Sequence, residues 1–152
     1  MKYTVIIIVF LFVGSCQKKD ALPELEKNEE KIITMNSVSN YDSIIRSVKL
    51  KGDTLAYNEL YYYLMDSNKN DRTDTLMYYS QIMAEKYNYD LAYFYYLTAL
   101  CEKYNISFKD ANYSAINITS MNKLSKKEIE NWLNKMLEKK VITKEQYNSV
   151  KR

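Results

Sequence analysis

Histidine is absent from this chain. That removes histidine-based nucleophilic triads, most zinc sites and the commonest general base. Glycine and proline are scarce too: Gly14, Gly52 and Pro23 are all there are. Glycine-rich loops that cradle phosphate are therefore excluded. Tight hairpin turns also lean on glycine, which argues against a β-hairpin protein. Charge of one sign is lacking as well, with 22 basic residues against 19 acidic ones. A nucleic-acid binder wants a clustered basic face, so none is expected. What the chain does have is Leu, Lys, Glu, Met and, above all, 16 tyrosines in 152 residues. With so few helix breakers, the predicted fold class is all-α.

The amino terminus is organised differently from the rest. Lys2 precedes an unbroken apolar run, Val5 to Val13, which ends at Gly14-Ser15-Cys16. A membrane-spanning helix needs roughly 20 apolar residues, so this run is too short to span and suits a secretion signal. Val13-Gly14-Ser15-Cys16 resembles the lipobox of bacterial lipoproteins. The resemblance implies a signal peptide over 1–15 and a thiol on Cys16 acylated with diacylglycerol after export. Several acyl chains on one residue make a stable tether, since a single chain holds only marginally. Gln17, by resemblance to enteric lipoproteins, implies an outer-membrane address facing the periplasm. Without Lys2 the net charge is +2, from 21 basic and 19 acidic residues. Cys101 is then the one remaining thiol. It has no partner for an intramolecular disulfide, and is expected to be a small core residue.

Residues 16–38 read as a lipidated cysteine and flexible tether, and 39–152 as one helical domain. Tyr41, Ile44, Ile45 and Val48 fall on one helical face, with Gly52 as the stop. Asp53 is placed to cap a second helix with Ala56, Tyr57, Leu60, Tyr61 and Leu64 inward. Thr73 or Asp74 is expected to cap a third, and Asp90 a fourth. That fourth helix, Leu91 to Cys101, is apolar nearly all round and so is expected to be central. A weak helix is expected over Asp110 to Ile118. Ser125-Lys126-Lys127-Glu128 and Thr143-Lys144-Glu145-Gln146 have the spacing of capping boxes opening the C-terminal helices, within 125–151. Lys123, Lys126, Lys127, Lys135, Lys139 and Lys140 are read as a solvated helix face.

An internal repeat sits within this pattern. Leu55-Ala56-Tyr57 matches Leu91-Ala92-Tyr93 at an offset of 36, Leu64 matches Leu100, and Asp74 matches Asp110. Periods in this range mark α-solenoids. The stretch Tyr78 to Ala84, followed by Asp90 to Leu97, resembles the tetratricopeptide and Sel1-like repeat families over roughly residues 53–120. Those families stack antiparallel helical hairpins into scaffolds that bind proteins. The families' usual glycine and proline positions are missing here, so a short α-solenoid and a compact helical bundle both remain open.

Tyr61-Tyr62-Tyr63 are consecutive on a helix, where neighbours point about 100° apart. They cannot all face one core, so Tyr62 is the leading candidate for an exposed binding residue, with Tyr78 and Tyr95 beside it. Exposed tyrosines supply contact area and a hydroxyl at low entropic cost. Asp66 to Asn70 imitates the start of an EF-hand loop, but Asp71 and Met77 stand where Gly and Glu are required, so no metal is expected. Asp42-Ser43-Ile44, Asp53-Thr54-Leu55 and Asp74-Thr75-Leu76 resemble bacterial O-glycosylation triplets, with helix caps as the competing explanation for two of them. No catalytic pair of carboxylates stands out and no nucleophile has a visible base. The expected function is therefore a non-catalytic, membrane-anchored interaction module that needs no cofactor and has the lipid bilayer and a protein as partners. The alternatives are an immunity lipoprotein against a periplasmic toxin and a glycan-binding lipoprotein.

Overall fold

A computed structural model describes residues 38–152. The expected signal, Cys16 and the tether up to residue 37 lie outside the described residues. From Val38 onward the chain is helical, as its lack of breakers predicts. The only extended pairing among the described residues is one parallel bridge between Asn117 and Lys151. No helix there is long and apolar enough to cross a membrane.

Helix α1 (Val38–Arg46) runs on into a π-helical turn, Ser47–Lys51. Gly52 ends it in the left-handed region at φ 65, with its N–H directed at the carbonyls of Ser47 and Val48. Asp53 then caps α2 (Thr54–Met65), its Oδ1 accepting from the Leu55 and Ala56 amides at 3.0 and 3.1 Å. Helix α3 (Lys69–Gln81) repeats the plan and also runs into a π-helical turn, Ile82–Lys86. Asn88 at φ 52 takes the role of Gly52, and α4 (Asp90–Lys103) follows. Gly52 and Asn88 are 36 positions apart, as are the first residues of α2 and α4, Thr54 and Asp90. The offset seen in the side chains is thus also present in the backbone.

The two hairpins pack turn against turn. The Tyr87 hydroxyl donates to the Lys49 carbonyl at 2.9 Å, and Lys86 Nζ to the same oxygen at 3.2 Å. A Cβ on Gly52 would clash with the Tyr87 ring, so glycine suits the position for space as well as for its φ. Helix α4 buries Ala92, Tyr93, Tyr95, Leu97, Ala99, Leu100 and Cys101, and packs against α3 on one side and a later helix on another. Its central place follows from its apolar surface. Fully burying one such leucine contributes about 1.5–3 kcal/mol.

Beyond α4 the repeat stops. The expected helix over Asp110 to Ile118 is absent, and only a 3-10 turn forms, Tyr113–Ala115. Asp110 and Ala111 sit at φ 52 and 55 in succession, a backbone no right-handed helix can contain. Phe108, Tyr113, Ile116 and Ile118 are buried instead from an irregular path. Helix α5 (Lys123–Glu138) and short α6 (Lys144–Ser149) complete the fold. The Trp132 indole on α5 donates to the Tyr93 carbonyl at 3.0 Å and stacks on Tyr96.

Three expected caps move. Helix α3 begins before Thr73 and Asp74, with Asn68 at its N-cap. Tyr89, not Asp90, is the N-cap of α4. Asn122 caps α5, its Oδ1 taking the Leu124 and Ser125 amides at 3.0 Å each. Ser125 is buried inside that helix, and Glu128 is drawn away to Tyr104 and Lys103. The second box stands: Thr143 Oγ1 accepts from the Gln146 amide, and Gln146 accepts from the Thr143 amide.

Candidate functional site: the tyrosine faces

The tyrosines fall into separate groups set by the helices that carry them. On α2, Tyr57 points inward, and its hydroxyl meets Ser80 Oγ at 2.7 Å in the core. Tyr61, one turn on, lies flat on Tyr95 of α4, with ring centroids 3.6 Å apart and planes 8° apart. Tyr62 packs edge-on against Tyr61 and is 63% exposed. One ladder of rings thus runs from the core to the surface.

Tyr63 turns the other way, toward Tyr41 of α1 at 5.1 Å. Tyr41 in turn feels Tyr79 of α3, whose hydroxyl is raised by burial first and by Tyr41 second. Tyr78 packs edge-on against Tyr79, is 50% exposed, and has Lys49 Nζ 5.5 Å from its ring centre. This second group crosses α1, α2 and α3.

Tyr62 and Tyr78 are therefore exposed, as a binding role requires. Tyr95 is not: it is buried, and burial followed by its tyrosine neighbours pushes its hydroxyl up to about 12. The reason is the central position of α4, whose uniformly apolar surface gave no sign of which face was outward. No ring contact joins Tyr78 to Tyr62 or Tyr95 among the described residues. Among the described residues the rings therefore fall into two groups. Tyr41 and Tyr63 belong to the second group and were not singled out from the sequence, although Tyr63 shares the three-tyrosine run.

A cleft of about 490 Å³ opens between the end of α2 and the end of α4, with Met65, Cys101, Ile106 and Phe108 among its lining. Burial pushes the Cys101 thiol up to about 12, so it stays protonated and a poor nucleophile. Glu102 on the rim is held by Arg72, Nη2 to Oε1 at 2.5 Å, while Arg72 Nη1 also donates to the Met65 carbonyl. This pair ties the α2–α3 connection to α4. Ser107 and Lys109 add to the polar part of the lining.

The segment resembling an EF-hand is helical from Lys69, which leaves three connecting residues, Asp66 to Asn68. No calcium loop of twelve residues exists there. No group of three or more acids or thiols suited to a metal occurs among the described residues. In the three triplets, Ser43 and Thr54 are exposed and Thr75 is half-buried. Asp53 is a helix cap and Asp74 is not.

No protein-family model, no curated protein and no solved structure matches this chain.

Proposed function

We propose that this protein is a lipoprotein of the bacterial cell envelope, acylated on Cys16, whose helical domain binds a protein partner without catalysis. The reading places it at the outer membrane, facing the periplasm. The observation that carries it is the exposure of Tyr62 and Tyr78 on rigid, well-packed helices. Aromatic rings held at a surface at low entropic cost are what a protein interface selects. The pairing of α1–α2 with α3–α4 is compatible with a short tetratricopeptide or Sel1-like scaffold, which would put the tyrosines on its outer faces.

Two measurements test this reading. Labelled palmitate should enter the wild-type protein and not Cys16→Ser, and the variant should leave the membrane fraction. A photo-crosslinking residue at position 62 or 78 should capture a defined protein in intact cells. Tyr62→Ala or Tyr78→Ala should abolish co-purification of that protein while leaving helicity unchanged. Co-purification undiminished by both substitutions would remove the tyrosines from the interface.

A further inference from the structure

The turn edge of the two hairpins carries large apolar side chains that the core does not use. Leu50, two residues before Gly52, is 67% exposed, and Leu55, in the first turn of α2, is 79% exposed. Leu91 is the repeat counterpart of Leu55, 36 positions on, and it too faces out, at 37%. An exposed leucine stands at the same place in both hairpins, on turns packed against each other. Tyr78 adjoins this edge through Lys49.

The charges around this edge are mostly positive. Lys49, Lys51 and Lys86 sit on the π-helical turns, and Lys139 Nζ reaches Asn88 Oδ1 at 3.3 Å. Against them stand Asp53, which is occupied in capping α2, and Asp90. Glu85 is held by Lys135. Leucines ringed by lysines, with a tyrosine at the margin, form the amphipathic pattern of a surface that sits in a lipid headgroup layer.

We propose that this edge docks on an anionic bilayer. The proposal rests on the acylation reading above, which puts the domain within reach of a membrane. Cys16 and Val38 are 22 residues apart, which spans at most roughly 75 Å when fully extended. The edge lies one helix length, about 20 Å, beyond Val38. The tether therefore permits the contact without enforcing it. Docking this way fixes the orientation of the domain.

Hydroxyl-radical footprinting of the purified protein on vesicles tests the proposal, because it reads leucine side chains one by one. Leu124, 81% exposed on α5, is the internal control. On vesicles of phosphatidylcholine with phosphatidylglycerol, oxidation of Leu50, Leu55 and Leu91 should fall several-fold while that of Leu124 is unchanged. On phosphatidylcholine alone the protection should be lost. Lys51→Glu with Lys86→Glu should abolish protection on the anionic vesicles too, with the protein still in the pellet. If Cys16 carries no acyl chain, its free thiol is coupled to a maleimide lipid, so the edge meets the bilayer in either case. Equal oxidation of all four leucines overturns the proposal. So does protection that follows protein density rather than anionic lipid, which would mark a second copy as the occupant.

Discussion

Tyr57 and Tyr93 stand at the same point of α2 and α4, 36 positions apart, and both rings are buried to 1% exposure or less. Only the first has a partner for its hydroxyl, Ser80. The Tyr93 hydroxyl is buried with none. The turns differ in the same way. Gly52 lies beneath the Tyr87 ring, whereas Asn88, its counterpart, is exposed and offers its side chain to Lys139. The repeat therefore copies backbone shape and ring volume, while polar partners are settled separately in each hairpin. Volume is dictated by close packing, which both hairpins need. A hydrogen-bond partner depends on what the next element brings.

Gly52→Ala should break this contrast most. A left-handed backbone costs an L residue about 1–2 kcal/mol, and crowding into a packed neighbour about 1–3. Together these predict a loss of roughly 2–5 kcal/mol in urea unfolding. Asn88→Gly, at the counterpart, should change stability by less than about 1 kcal/mol. Equal losses at the two turns would mean that the Tyr87 ring yields.

Glu102→Ala comes next. Arg72 and Glu102 are 17% and 16% exposed, so a guanidinium that loses its carboxylate should cost about 1–3 kcal/mol. Asp66 is the residue 36 positions before Glu102 and is exposed. Asp66→Ala should stay within about 0.5 kcal/mol, a difference that thermal melts of the two variants resolve.

Tyr57→Phe should cost about 1 kcal/mol, because it also strands the Ser80 hydroxyl. Tyr93→Phe should be neutral or slightly stabilising, since the lost hydroxyl had no partner. A Tyr93→Phe variant as unstable as Tyr57→Phe would show that an ordered water serves Tyr93.

The last effect is alkaline. Burial raises the Tyr57 hydroxyl above its ordinary 10.0, and pushes Tyr95 and Tyr96 up to about 12. The folded protein then keeps protons that the unfolded chain releases near pH 10. Their stabilisation is complete below pH 10 and is lost as pH climbs toward 12. Tyrosinate absorbance should show Tyr57, Tyr95 and Tyr96 ionising only as the fold is lost. Simultaneous ionisation of all of them in the native state would contradict the burial.

Much of this fold was legible. The stripes on α1 and α2 were set by helical spacing, and Gly52, Asp53 and Thr143 acted as their residue types predict. The misplaced caps have a common cause. Ser125, Asp90 and Thr73 have capping chemistry, but Asn122, Tyr89 and Asn68 reach the non-helical backbone conformation first, and tertiary packing decides which. The path from 104 to 122 was not legible, because its successive left-handed residues are Asp and Ala rather than glycine. At the candidate site, exposure of Tyr62 followed from three neighbours on one helix. Burial of Tyr95 did not, since an all-round apolar helix has no preferred face. The salt bridge from Arg72 to Glu102 joins residues 30 positions apart, and nothing local announces it.

The bridge between Asn117 and Lys151 has one more consequence. The Ile118 amide donates to the Lys151 carbonyl at 2.9 Å, and the Lys151 amide to the Ile116 carbonyl at 3.0 Å. The contacts of the two hairpins with each other are complete within residues 38–103. The stretch before α5 cannot close until nearly the last residue has emerged. A chain clipped before Lys151 would lose both bonds and loosen the path that buries Ile116 and Ile118.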